Sequence, residues 1–262
     1  MEIEILNKGK EKLNFILKDI NPSIANTLRR IMTSEVPVMA IDDISFTKNS
    51  SALYDEILAL RFGLIPLKTD LKSYELKEKC TCKGEGCAKC QLNLKLNCKG
   101  PCTVYASDLK SQDPKVEPIF SKMPIVKLLK NQELELEAVA VLGKGKAHAK
   151  FSPGLVYYKG YPKIKIANNL KNPEKCLNIC PVNVYEIKDK VLRAKNITNC
   201  TLCNACVEEA DPSGAIEVTG SEKDYIFYIE SWGQLTPIEI FTEALNMFDE
   251  NLDEFAAKLK KA

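Results

Sequence analysis

The sequence predicts an α+β chain, and three observations carry that expectation. Helix-type patterns stand near both ends, at about 21–36 and 236–259. Strand-type alternation fills the middle, from about 92 to 158. A stretch at about 162–222 holds two cysteine motifs between short strand-like runs. The 262 residues allow one to three domains at roughly 100–200 residues each. With 45% apolar and 27% charged residues the composition is that of a globular chain, which excludes disorder and fibrous repeats.

The elements follow in order. EIEIL (2–6) and LNFIL (13–17) alternate or nearly so, and NKGKEK between them makes a hairpin. Asn21 is placed as an N-cap and Pro22 at the first helical position, with Ile24, Leu28, Ile31 and Glu35 at helical spacing. Pro37 should stop this helix at about Val36, because a proline disfavours helical backbone in the residue before it. A second helix is expected near Leu53–Phe62, with Leu53, Ile57 and Leu60 on its apolar face and Gly63 as a left-handed cap. LNLKLNC puts Leu92, Leu94, Leu96 and Cys98 on one strand face. LELEAVAVLG does the same for Leu134, Leu136, Ala138 and Ala140.

The last helix is the best signalled. Thr236 and Glu239 form a capping box, Pro237 sits at the first position, and Leu235 and Ile240 are placed for a hydrophobic staple. Phe241, Leu245, Phe248, Leu252, Phe255 and Leu259 then recur at alternating steps of four and three. That narrow 3.5-residue stripe usually faces another helix. Packing on the chain's own core and docking on a partner chain, together with the apolar segment at 22–35, both remain open from the residues alone.

Charge and histidine content narrow the function. There are 37 basic and 35 acidic residues, a net +2. A protein gripping nucleic acid mainly through phosphates needs a clear basic excess. The longest run without a charged residue, Asn196–Val207, is 12 residues, short of the roughly 20 of a membrane helix. MEIEILNKGK lacks the apolar core of a signal peptide, so a soluble, cytoplasmic protein is expected. The single histidine, His148 in KAHAKF, would have to serve any Ser-His-Asp or Cys-His site. No G-x-S-x-G accompanies it, and it reads as a surface or strand histidine. Asp42-Asp43 is only a pair, at a strand edge or turn, and no aspartate cluster for a catalytic magnesium is present.

Eleven cysteines in two clusters point to metal rather than a secreted disulfide scaffold. Cys200-x2-Cys203-x2-Cys206 is the leading part of the bacterial ferredoxin run C-x2-C-x2-C-x3-C-P. Its fourth position is Ala210. Upstream, Cys176-x3-Cys180-Pro181 is the tail of the same motif, and the two halves read as a degenerate repeat. One cluster site needs positions 180, 200, 203 and 206, and all are cysteine. The other needs 170, 173, 176 and 210, which are Leu170, Pro173, Cys176 and Ala210. One iron–sulfur cluster on Cys180, Cys200, Cys203 and Cys206 is therefore expected. The type is [4Fe-4S], or [3Fe-4S] if one ligand is lost, with zinc or unliganded thiols as the alternatives. Cys176 reads as a small buried residue. Cys80, Cys82, Cys87 and Cys90 form a second group, either a zinc loop or, with Cys98 and Cys102, disulfides.

NPSIANTLRRIMTSEVPVMAID (21–42), SALYDEILALRFGLIPL (51–67), AHAKFSPG (147–154) and IESWGQLTPIEI (229–240) resemble the family of the bacterial RNA polymerase alpha subunit and the eukaryotic third-largest subunit. The cysteine insertion at 176–206 is similar to that of the archaeal members of this family of DNA-directed RNA polymerase subunits. The resemblance is collinear over most of the chain. It implies an alpha-subunit-like dimerisation domain built from both termini (1–41 and 224–262), an inserted β-rich domain (42–161) and a ferredoxin-like domain (162–223). It further implies a non-catalytic assembly role: a heterodimer with a small alpha-like subunit, L, that receives subunits N and B. Leu28, Arg29 and Arg30 would face the partner and a large subunit, where arginine suits bidentate contacts. A ferredoxin-type electron-transfer subunit is the competing function, and a zinc-dependent nucleic-acid binder a third, disfavoured by the charge.

Overall fold

A computed structural model describes residues 2–260. The elements are β1 (Glu2–Lys8), β2 (Lys12–Lys18), α1 (Pro22–Ser34), β3 (Pro37–Asn49), α2 (Asp55–Gly63), β4 (Gln91–Lys99), β5 (Cys102–Tyr105), β6 (Lys110–Ser111), β7 (Pro124–Leu128), β8 (Glu133–Lys144), β9 (Gly154–Ile166), α3 (Pro173–Ile179), β10 (Tyr185–Lys188), β11 (Val191–Ala194), α4 (Ala205–Glu209), β12 (Ile216–Ser231) and α5 (Pro237–Leu259). The class is α+β with a β-rich middle, as the patterns require. No helix is long and apolar enough to cross a membrane.

The chain forms two compact units. One gathers the residues up to Gly9, Leu13–Thr27 and Tyr157–Tyr228. β1 and β2 pair antiparallel, with Ile3 opposite Leu17 and Ile5 opposite Phe15, and the sheet order is β1-β2-β12-β9. Aromatic rings hold its buried face. Phe15 stacks on Phe227 at 5.4 Å, and Tyr158 lies 5.1 Å from Phe227 and edge-on to Tyr225 at 5.3 Å. Such pairs add to the area they bury. The same unit carries α3, α4 and the β10–β11 hairpin around a small core of Cys176, Val184, Tyr185, Leu192 and Ile216.

The other unit gathers Lys10–Lys12, Leu28–Val156 and the chain from Ile229 onward. Its main sheet has the order β3-β8-β4-β6, with β5 paired to β7 beside it. Leu94 lies opposite Ala138 and Leu96 opposite Leu136. The alternating residues Leu92, Leu94, Leu96, Leu134, Leu136, Ala138 and Ala140 are all buried in one core, and Cys98 packs partly against it. Asp42 sits at a bulge of β3, between Ile41 and Asp43, and pairs with Lys150 at 2.7 Å.

The first two helices match the sequence expectation in part. In α1 the Asn21 side chain accepts from the Ser23 amide at 2.8 Å, as an N-cap should. The helix ends at Ser34, and its buried residues are Ala25, Leu28, Ile31 and Met32, while Ile24 is exposed. Leu28, expected at a partner face, is thus already buried within the chain; Arg29 is half-buried and Arg30 exposed. In α2 the buried residues are Leu58 and Phe62, one turn apart, and Ile57 and Leu60 face out. The 54–64 segment is apolar on both sides, so periodicity alone could not choose the inward face. Gly63 is the last helical residue, and the cap is Leu64 with right-handed backbone (φ −88°). The helix closes instead through the Leu64 amide on the Leu60 carbonyl and the Ile65 amide on the Phe62 carbonyl, so no left-handed glycine is required.

Helix α5 begins as expected. The Thr236 amide donates to Glu239 Oε2 at 2.8 Å, and the Glu239 amide donates to Thr236 Oγ1 at 3.3 Å. Leu235 and Ile240 are both buried. The helix buries Pro237, Ile240, Ala244 and Met247, which is not the 241–259 stripe.

Candidate metal centres and partner face

The Cys80 loop is built to bring four sulfurs together. Cys80 and Cys82 follow a turn in which the Lys83 amide donates to the Cys80 carbonyl, and Cys87 and Cys90 are joined by the Cys90 amide on the Cys87 carbonyl. Sγ–Sγ separations are 3.5 Å for Cys80–Cys87, 3.4 Å for Cys80–Cys82, 3.5 Å for Cys82–Cys90 and 3.9 Å for Cys87–Cys90. A disulfide requires about 2.05 Å, and all of these cysteines are free. That corrects the disulfide alternative. Four thiolates at about 2.3 Å from one zinc ion stand about 3.8 Å apart at the corners of a tetrahedron. These four separations lie near that figure and all six fall within 4.8 Å, so the group can hold a metal ion or cluster.

Glycine matters at one point of this loop. Gly86 has φ +94°, and a Cβ there would run into the Gln91 side chain. The Gly86 amide, followed by the Cys80 thiol, pulls the Cys82 thiol down to about 6. The thiolate is the metal-binding form. Cys98 and Cys102 lie outside this group; the Cys102 thiol contacts the Lys99 carbonyl at 3.5 Å.

Cys180, Cys200, Cys203 and Cys206 line a second, smaller site. With Val182, Val184, Tyr185, Thr201, Asn204, Ala205 and Val218 they line one small pocket. Cys180 follows α3 and Cys206 lies in α4. Between Cys200 and Cys206 the chain turns through left-handed backbone at Leu202 (φ 60°) and Asn204 (φ 61°). For a leucine that conformation costs about 1–3 kcal/mol and persists only where the surroundings impose it. Its result is local: the Leu202 amide points at Cys200 Sγ at 3.5 Å, and the Val184 amide points at Cys180 Sγ at 3.4 Å. Amides aimed at sulfur favour thiolate, and four soft thiols lining one pocket are a donor set that fits an iron–sulfur cluster.

The positions of the second ferredoxin site, which the sequence reads as lost, are filled by packing. Cys176 is fully buried, its thiol directed to Asn172 Oδ1 and the Cys206 carbonyl at 3.8 and 3.9 Å. Leu170 and Ala210 belong to the same small core. Two polar residues at the first site carry no sequence signal. The Tyr185 hydroxyl lies 3.0 Å from Cys206 Sγ, and burial, then that thiol, push its own ionisation far up. Lys159 Nζ donates to the Thr198 and Cys200 carbonyls at 2.7 and 2.6 Å.

The last stretch of α5 presents an apolar face. Phe241, Leu245 and Phe248 are half-buried, and Leu252, Phe255 and Leu259 are 50, 62 and 61% exposed. His148 is exposed, its Nδ1 accepting from the Lys150 amide at 3.1 Å.

Comparison with known proteins decides the family. Residues 40–154 match the RNA polymerase Rpb3/RpoA insert domain. The DNA-directed RNA polymerase subunit Rpo3 of Methanosphaera stadtmanae is 41% identical, over 97% of this chain and 96% of its own. The chain belongs to the Rpo3 family. Two further Rpo3 subunits are similar nearly end to end. That of Archaeoglobus fulgidus is 39% identical over 97% of this chain and 96% of its own. That of Pyrococcus furiosus is 36% identical over 100% and 98%. As an Rpo3-family chain it is a subunit of a multi-subunit RNA polymerase. The matched insert segment contains the Cys80–Cys90 group; the Cys180–Cys206 site lies outside it.

Proposed function

We propose that the chain is a non-catalytic assembly scaffold of the polymerase, forming a heterodimer with the small alpha-like subunit L before subunits N and B dock. Both termini supply the dimerisation domain, and catalysis belongs to other subunits. The observation that carries this reading is α5: it buries 240, 244 and 247 inside the chain and leaves Leu252, Phe255 and Leu259 in water. Covering one such side chain is worth about 1.5–3 kcal/mol as a transfer term, and interfaces concentrate their energy in aromatic anchors of this kind. Arg30, exposed beside half-buried Arg29, suits capture of the next large subunit. Co-expression with the small alpha-like subunit and size-exclusion chromatography test the reading: a stable one-to-one complex is expected. A chain that stays monomeric beside a folded partner would remove it.

We assign the Cys180, Cys200, Cys203 and Cys206 site to one structural iron–sulfur cluster and the Cys80, Cys82, Cys87 and Cys90 site to zinc. The ferredoxin spacing and the shared pocket support the first; the four sulfurs within 4.8 Å of one another support the second. When bound, each group supplies cross-linking of its loop. Metal analysis of anaerobically purified chain should find iron with acid-labile sulfide, and one zinc.

A further inference from the structure

We propose that Tyr185 is a positioning residue for the iron–sulfur cluster, its hydroxyl donating to Cys206 Sγ and thereby raising the cluster's reduction potential. The inference rests on the cluster assignment above. Tyr185 is 6% exposed and sits in β10, facing the cavity that the four cysteines line. Its hydroxyl is 3.0 Å from Cys206 Sγ. A sulfur bound to iron is a thiolate and can only accept, so the phenol must donate. Hydrogen bonds to ligand sulfurs and burial are among the levers that set cluster potential. A donor at sulfur stabilises the more negative, reduced state, and the potential therefore rises.

The neighbourhood makes this bond count. Thr201 and Asn204 also line the site with polar side chains, but it is the Tyr185 hydroxyl that stands within hydrogen-bond distance of a ligand sulfur. Backbone amides serve two of the other sulfurs, Val184 on Cys180 and Leu202 on Cys200. Tyr185 adds a side-chain donor at a third sulfur, that of Cys206. Lys159 plays a different part. Its ammonium clamps the Thr198 and Cys200 carbonyls and lies over the Tyr228 ring at 5.6 Å, so it fixes the ligand loop from behind.

The test uses full-length chain purified without oxygen as wild type, Tyr185→Phe, and a variant with 4-methylphenylalanine at position 185. The last fills the hydroxyl's space without a donor. Iron and sulfide content is measured first, then the potential by titration monitored by electron paramagnetic resonance. Both variants are expected to keep their iron and titrate at a lower potential than wild type. Unchanged potentials in iron-loaded variants would overturn the inference and leave the cluster assignment standing. A wild type holding no iron would overturn both.

Discussion

Cys176 and Cys203 stand in the two halves of the chain's degenerate repeat and are opposite in environment: the first is fully buried, the second exposed. Burial alone would make Cys176 the more costly to lose. Ligation reverses that order, because a structural metal contributes its binding free energy to folding, about 10–16 kcal/mol for zinc in small domains. Cys203→Ser should therefore release iron and open residues 162–223 to protease, while Cys176→Ser keeps its iron. Equal iron loss and equal digestion patterns would count against the ligand set. At the other site, Cys82→Ser should lower the zinc content to zero without changing the iron content. That Cys180, Cys200, Cys203 and Cys206 converge on one pocket was legible because ferredoxin spacing is a local pattern. Tyr185 and Lys159 were not, since their contacts with Cys206 and Cys200 cross 21 and 41 residues and exist only once the strands have paired.

At the scale of elements, α5 separates two kinds of apolar residue on one helix. Met247 belongs to the chain's buried face, and Phe255 is 62% exposed. An aspartate at 247 has no water around it, and burying an unpaired charge is strongly unfavourable. Met247→Asp should lower the thermal midpoint of the isolated chain sharply. Phe255→Asp should leave that midpoint within a few degrees and abolish heterodimer formation on size-exclusion chromatography. A Phe255→Asp chain that still forms the heterodimer would place the partner face elsewhere. The period of α5 was readable in the sequence; which of its two apolar rows turns inward was not, and α2 shows the same ambiguity. The loop before the insert core adds a pH test. The Ser73 hydroxyl, then Lys115, hold the Asp70 carboxyl down to about 2 from 3.8. A lowered folded-state value stabilises above the unfolded value and fades as pH falls through the folded one. Asp70→Asn should thus cost stability at pH 6, with the difference from wild type shrinking from about pH 4 toward pH 2, as read from urea midpoints.

For the whole molecule, the informative fact is that the two cysteine groups belong to different compact units. Cys80 and Cys90 lie in the unit with the 39–142 core, and the four cluster cysteines in the unit whose small core spans 176–216. Those two cores share no residue. The exposed α5 stripe, at 252–259, belongs with the first unit. Local stability in proteins is set by such cooperative units, which can open separately. Loss of the cluster should therefore be a local event. Chain treated with ferricyanide and chelator until its iron is gone is expected to become protease-sensitive within 162–223, while zinc, the insert core and the heterodimer survive. A redox-sensing role for the cluster within the polymerase makes the opposite forecast: if the cluster reports redox state, its oxidative loss must weaken assembly. Heterodimer yield, measured before and after iron removal at matched zinc content, separates the two. Undiminished yield assigns the cluster a structural role within its own unit. A yield that falls with iron means that the ferredoxin-like insertion governs the assembly step itself.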